Sequence, residues 1–141
     1  MTKFLIVSSK KWNDDIIKKF IFKNKNFAYH FDKKKLLSRI KEIKTKKIFF
    51  IHYSYKVPKK IFDKYECINF HMTDLPFGRG GSPLQNLILR GYKKTKLTAH
   101  KMVESIDSGE IYMKRSLSLK GSAKSIYIRS TKISLNMIEK I

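Results

Sequence analysis

The first half of the chain alternates short apolar runs with amphipathic segments. Three apolar runs predict buried strands, namely Phe4–Val7, Phe27–Phe31 and Ile48–Ile51. Asn13 and Asp32 are candidate N-caps of the two segments between these runs. Both segments repeat apolar residues at helical spacing: Ile16, Ile17, Phe20 and Ile21 in the first, and Leu36, Leu37, Ile40 and Ile43 in the second. The alternation predicts parallel strands covered by helices.

A fourth strand is predicted over Cys67–His71, after a short helix that starts at Pro58. A loop rich in Pro and Gly follows this strand. Ser82 and Pro83 then suit the start of a helix. The apolar stripe of that helix and its C-terminal glycine are Leu84, Leu87, Ile88 and Gly91.

The last third of the chain has more strand character. Thr95–Met102 and Glu110–Leu119 predict two strands of a hairpin, and Ser122 is a candidate cap of a closing helix. The apolar positions are Ile111, Met113, Leu117 and Leu119 in the second strand, and Ile126, Ile133, Met137 and Ile141 in the helix. The whole pattern predicts an α/β, Rossmann-like fold. It has a mostly parallel sheet, helices on both faces and a β-rich hairpin near the C-terminal end.

Length and composition narrow the class of protein. The chain has 141 residues, enough for one domain with its own core, and 42% hydrophobic residues argue against disorder. No apolar run approaches the roughly 20 residues of a membrane span. The single cysteine cannot form an internal disulfide and indicates a reducing compartment, so we expect the cytoplasm.

The formal net charge of +21 suggests anionic ligands. Two interpretations are open, a nucleic-acid surface or a general preference for surface lysine. Because the lysines are scattered along most of the chain and are not grouped into blocks, the second interpretation is favoured. Even so, such a charge attracts anionic ligands, including a phosphate-bearing acceptor molecule.

Several cofactor classes are disfavoured by missing motifs. No Gly-x-Gly-x-x-Gly follows the first predicted strand, and there is no Walker phosphate loop. Histidines at metal-ligand spacing are also missing, and one cysteine makes a zinc site improbable. We therefore expect no nicotinamide cofactor, nucleoside triphosphate or metal.

The fourth predicted strand and the loop after it carry the candidate chemistry. Since alternate side chains of a strand share a face, Asn69 and His71 point to one side while Ile68 and Phe70 point to the other. In open α/β sheets, ligands bind outside the carboxyl ends of the strands. A carboxamide and an imidazole therefore stand together where a ligand would bind.

Two motifs resemble those of the folate-dependent formyltransferases. The order Asn-x-His, Leu-Pro, Arg-Gly and Pro runs from Asn69 to Pro83 and resembles the methionyl-tRNA and amino-sugar N-formyltransferase type. A family segment of the form Asp-Thr-Gly-Asp-Ile is matched by Asp107-Ser-Gly-Glu-Ile111. The resemblance is best from about Phe49 to Leu119.

The resemblance implies a formyltransferase-type catalytic domain with 10-formyltetrahydrofolate as the formyl donor and no metal. It implies that Asn69 stabilises a developing oxyanion and that His71 donates to it and helps to move protons. For Asp107 it implies one of two roles, holding His71 in its useful charge state and tautomer or relaying a proton through water. The expected folate-binding positions lie in the Gly-rich loop and the later turn: Arg79, Gly80, Gly81, Ser82, Ser108 and Gly109.

The chain departs from the family pattern after His71. Family members often have His-Pro-Ser-Leu-Leu-Pro, whereas this chain has His71-Met-Thr-Asp-Leu-Pro76, so Asp74 has no assigned purpose. A role for His52 is also open. We expect a single catalytic domain over residues 1–141, short at its N-terminal side and without an extra C-terminal domain.

Three functions compete on this evidence. The favoured one is formyl transfer to a primary amine on a nucleotide-activated amino sugar. The reason is that tRNA-formylating members carry an additional C-terminal domain, which we do not expect here. The second is formyl transfer to methionyl-tRNA or another amine. The third is a catalytically inactive basic binding protein of the same fold. A homodimer is an open alternative for the assembly.

Overall fold

The computed structural model describes residues 4–141. The strands over these residues are β1 Phe4–Ser8, β2 Phe27–Phe31, β3 Lys47–Phe50, β4 Glu66–His71, β5 Lys94–Lys101 and β6 Ile111–Ser118. The α-helices are α1 Asp14–Lys23, α2 Leu36–Ile43, α3 Lys59–Phe62, α4 Pro83–Leu89 and α5 Ala123–Lys140. A 3₁₀ turn over Lys11–Asn13 precedes α1.

The strands form a mixed sheet in the order β2-β1-β3-β4-β5-β6. The pairs β1–β2, β1–β3 and β3–β4 are parallel, whereas β5 and β6 pair antiparallel. Helices flank the sheet. The predicted α/β fold, with a mostly parallel sheet and a hairpin towards the C-terminal end, is confirmed.

The chain divides into two compact units, and the division falls inside β4, between Asn69 and Phe70. The core of the first unit is the row of buried parallel strands, in which Ile6, Ile48 and Phe50 are fully buried. Continuous apolar runs are what a strand covered on both faces requires. The helices of this unit add further buried side chains: Ile17 and Phe20, Leu36 and Ile40, and Ile61.

The second unit begins at Phe70 and is built on the β5–β6 hairpin and α5. Its most buried hydrophobic side chains are Leu84, Leu97, Ala99, Leu117, Ile126 and Met137, each with no exposed surface. The Ser122 side chain accepts a hydrogen bond from the backbone N–H of Ser125, so the predicted cap of the closing helix is observed. No helix within residues 4–141 is both long and apolar enough to span a membrane.

Asn13 and Ser82 stand at the predicted N-cap positions of α1 and α4 without a side-chain capping bond, and the predicted cap Asp32 is wrong. The Asn13 side chain donates to the hydroxyl of Ser8 instead of capping α1. Asp32 lies outside α2, which begins after Lys35, because residues 32–35 form a turn of their own. Ser82 precedes α4, but its left-handed backbone gives no side-chain cap.

One predicted core position is also wrong, because Ile88 is 45% exposed. Ile111, on the predicted apolar face of its strand, is 42% exposed. The helix α4 has only seven residues, and it buries the stripe of Leu84 and Leu87 alone. Ile111 is the first residue of β6, where the strand leaves the turn.

Candidate active site

The strand β4 ends at His71, and the Gly-rich loop follows it directly. Asn69 lies two residues earlier on the same strand, so strand alternation turns both side chains to one side. Asn69 is half-buried and His71 is buried. Alternation in the apolar strand therefore delivers an amide and an imidazole to the carboxyl end of β4, as predicted.

The buried ring of His71 meets a carbonyl of the loop that follows it. Its Nε2 lies 2.7 Å from the backbone oxygen of Gly78. A carbonyl oxygen can only accept a hydrogen bond, so Nε2 must carry the proton. This position favours glycine for two reasons: φ is 72°, and a Cβ there would lie 2.6 Å from the Thr73 side chain. The loop thus fixes the tautomer of His71.

Asp107 stands beside the same ring nitrogen. Its Oδ2 lies 3.7 Å from His71 Nε2 and accepts a 2.8 Å hydrogen bond from the backbone N–H of Gly80. The turn holds Asp107 at φ 50°, a conformation that Asp tolerates better than most residues. The two motifs recognised in the sequence therefore meet through one carboxylate oxygen.

The surroundings of Asp107 favour its ionised form. Burial raises the pKa of Asp107, but hydrogen bonds from His100 and Gly80, together with the electrostatic influence of His71 and His100, outweigh burial, and the net pKa lies below its usual value. Asp107 is consequently an anion at neutral pH, with its side chain 11% exposed.

His100 is a member of this cluster that the sequence analysis missed. Its Nε2 lies 3.4 Å from Asp107 Oδ1, and its ring centroid lies 6.3 Å from that of His71. The side chain is 3% exposed. Two polar residues on one face of a buried strand, Thr98 and His100, were the pattern that could have identified it.

The predicted folate-binding positions in the loop differ in exposure. Arg79, Gly81 and Ser82 are exposed, and Gly80 is partly buried by its contact with Asp107. A Cβ added at Gly80 or Gly81 would meet open space. The backbone of this loop is therefore accessible to a ligand, and its role in binding stays a prediction.

The other two predicted folate-binding residues make contacts within their own turn. The Ser108 hydroxyl donates to the carbonyl of Ser105 at 2.7 Å. A Cβ on Gly109 would lie 1.8 Å from the carbonyl oxygen of Lys101, next to the Lys101–Glu110 backbone hydrogen bond. Both residues hold the turn that presents Asp107. Whether they also touch a ligand stays a prediction.

Within residues 4–141, no group of three or more His, Cys, Asp or Glu side chains is placed to hold a metal ion. The cluster instead pairs one carboxylate with two imidazoles and an amide N–H. Such an arrangement can hold a protonated imidazole, orient it, and pass a proton between neighbouring groups.

The model of the formyl transferase family matches residues 6–131, which include the whole cluster. The chain belongs to this family. The resemblance found in the sequence is therefore confirmed, and it extends well beyond the two motifs on which it was based. The predicted roles of Asn69, His71 and Asp107 stay predictions within that family.

Two methionyl-tRNA formyltransferases are similar to this chain. The one from Rickettsia prowazekii is 39% identical over 85 residues, which make up 59% of this chain and 28% of that relative. The structure of the one from Clostridium thermocellum has a TM-score of 0.94 and 45% identity, covering 99% of this chain and 64% of that one. The chain thus spans less than two thirds of either relative.

A structure of a sugar N-formyltransferase from Shewanella is more distant. It has a TM-score of 0.74 and 20% identity, and the match covers 99% of this formyl transferase chain and 68% of that one. At this identity the likeness supports the common fold alone.

Proposed function

We propose that this chain catalyses the transfer of a formyl group from 10-formyltetrahydrofolate to a primary amine. The observation that carries the proposal is the buried cluster in which Asp107 faces His71 Nε2 at 3.7 Å and His100 Nε2 at 3.4 Å. Membership of the formyl transferase family supports it further. An intact cluster of this kind also weighs against a protein that has kept only the fold.

The reaction requires stabilisation of a developing oxyanion and two balanced proton transfers. The acceptor nitrogen attacks the formyl carbon, a C–N bond forms, and the carbonyl oxygen becomes an oxyanion. The bond from carbon to the folate nitrogen then breaks. The amine loses one proton and the folate nitrogen gains one, so the protons balance.

Each proposed catalytic residue has a role in these reaction steps. The Asn69 amide donates to the oxyanion. His71 Nε2–H donates a hydrogen bond to the Gly78 carbonyl in the free protein and would exchange that partner for the same oxyanion in the reaction. The Asp107 carboxylate stabilises the positive charge of His71 when the ring is protonated and takes part in moving a proton from the amine.

The acceptor in our proposal is the methionyl group of a charged tRNA. The two methionyl-tRNA formyltransferases are 39% and 45% identical to this chain, whereas the sugar enzyme is 20% identical. A net charge of +21 also suits a polyanionic acceptor. The earlier preference for a nucleotide-activated amino sugar depended on where the sequence ends, which supports no inference, and it is not confirmed.

A competition between acceptors tests the proposal. The chain is incubated with 10-formyltetrahydrofolate and either methionyl-tRNA or a nucleotide-activated 4-amino sugar, and mass spectrometry follows the gain of one formyl group. We expect formyl-methionine after hydrolysis of the tRNA, and its loss in His71→Ala. Formylation of the sugar alone would replace the acceptor. Folate binding without transfer to either amine would favour the non-catalytic alternative.

A further inference from the structure

The loop after β4 is held by two side chains from the β5–β6 hairpin. Thr98 Oγ1 donates a buried 2.7 Å hydrogen bond to the carbonyl oxygen of Thr73. Lys114 Nζ donates a 2.7 Å hydrogen bond to the carbonyl oxygen of Leu75. Both bonds end on backbone oxygens, so they fix the path of the main chain, whatever side chains the loop carries.

The two donors are direct partners across the hairpin. The antiparallel register pairs Thr98 on β5 with Lys114 on β6. Side chains of opposed residues on one face of an antiparallel pair lie side by side. One cross-strand pair therefore reaches two carbonyls that are two residues apart in the loop.

The held segment leads directly to the carbonyl that meets His71. The N–H of Phe77 donates to the carbonyl of Asp74, which closes a turn, and Gly78 follows. The Thr73 hydroxyl lies 3.4 Å from the Gly78 oxygen, which accepts a 2.7 Å hydrogen bond from His71 Nε2–H. A shift of the loop would consequently change the partner that fixes the tautomer of His71.

The Lys114–Asp74 ion pair contributes less to holding the loop than the two hydrogen bonds to its backbone do. The two side chains are 32% and 55% exposed, and exposed pairs are screened by solvent. The bond to the Leu75 carbonyl is partly buried. The ion pair nevertheless gives Asp74, which the sequence left without a purpose, a partner that orients the lysine.

We propose that Thr98 and Lys114 are positioning residues that hold the loop at Thr73 and Leu75, and so keep the Gly78 carbonyl against His71 and the proton on His71 Nε2. The catalytic consequence of this inference rests on the proposed function. The effect on His71 itself does not, because it is a property of the free protein.

Nuclear magnetic resonance of the imidazole nitrogens gives the first test. Protonated and unprotonated ring nitrogens have separate ¹⁵N shifts, so the tautomer of His71 is observed directly in ¹⁵N-labelled protein at a pH where the ring is neutral. We expect Nε2–H in the wild type and a mixture of tautomers in Lys114→Met and in Thr98→Val. Lys114→Arg and Thr98→Ser keep a donor and should restore Nε2–H. If one apolar variant fails to fold, the other decides the case, because each removes one of the two separate hydrogen bonds to the loop.

Lys96→Met is the matched control. Lys96 lies on the same hairpin and donates to the Ser116 hydroxyl at 3.1 Å, and among residues 4–141 its side chain has no hydrogen bond to the loop. It removes one exposed lysine and one hydrogen bond and should leave His71 unchanged. A tautomer of His71 that is the same in Lys114→Met, Thr98→Val and the wild type would overturn the proposal, as would an equal change in Lys96→Met.

Kinetics give a second measurement if the chain transfers formyl groups. We expect kcat to fall at least about tenfold in Lys114→Met while KM for the folate changes little, because a misplaced imidazole affects the reacting geometry. Lys114→Arg should recover most of kcat. Absence of turnover in the wild type would defeat the proposed function alone, since the tautomer of His71 would still test the positioning role.

Discussion

The backbone N–H of Gly80 donates a 2.8 Å hydrogen bond to Oδ2 of Asp107, 27 residues further along the chain. This bond joins the Arg-Gly loop to the Asp-Ser-Gly turn. The same carboxylate oxygen faces His71 Nε2 at 3.7 Å. One ionised side chain therefore organises the loop, the turn and the imidazole together, and a change in its charge should affect all three.

The ionised form of Asp107 should stabilise the fold in a pH-dependent way. Its pKa is lower in the folded state than the usual value of about 3.9 for an unfolded chain. The unfolded state therefore binds more protons as the pH falls, so the stabilisation is complete above about pH 5 and is lost below about pH 4. Denaturant unfolding of the wild type and Asp107→Asn should show a difference that narrows as the pH falls below about 4. A constant difference down to pH 2 would contradict this.

Asn69 and His71 should act as a unit in catalysis. Loss of one neutral oxyanion donor in Asn69→Ala should lower turnover on the order of a hundredfold or more, and His71→Ala should be at least as damaging. The double mutant should lose much less than the product of the two single losses, because both residues act on one transition state. Folate affinity, measured by calorimetry with a stable analogue, should change little. Normal turnover of His71→Ala would defeat the mechanism.

The Cys67 thiol should be unreactive in the native protein. The side chain is fully buried in β4, and burial, with the Glu66 charge nearby, raises the pKa of Cys67 to about 12. Since the thiolate is the nucleophile, alkylation should require unfolding. We expect labelling by iodoacetamide, followed by mass spectrometry, to be at least about a hundredfold slower in buffer than in denaturant. Equal rates would show that β4 opens readily in the native state.

Strand positions were predictable because a short, continuous apolar run is best buried as a strand covered on both faces. The predicted bounds of β2 match the structure, and β4 differs by one residue at Glu66. Helix caps were less predictable, since they depend on tertiary partners. Asn13 is a residue type that often caps helices, but its side chain donates instead to the Ser8 hydroxyl, which only the fold brings close.

The candidate site was predictable from strand alternation in one half and only from resemblance in the other. Spacing alone placed Asn69 and His71 on one face, whereas the pairing of Asp107 with His71 needed a family motif. His100 escaped because its sequence signal, a second polar residue two positions earlier at Thr98, does not by itself separate a structural from a functional role. The contacts of Lys114 with the loop were equally hidden, because they join residues about 40 positions apart.

Gly109 should be required by packing, independently of any ligand. A Cβ at this position would lie 1.8 Å from the Lys101 carbonyl oxygen, a backbone atom that can move only with β5. Gly109→Ala should therefore destabilise the fold by about 1–3 kcal/mol in denaturant unfolding, as overpacking does. It should also displace the Asp107 turn, seen as changed His100 side-chain resonances. Gly81→Ala is the matched control: a Cβ there meets open space, and its stability should stay within about 0.5 kcal/mol of the wild type. If both variants were equally stable, the turn would not depend on this close approach, and Gly109 would have to be explained by ligand binding instead.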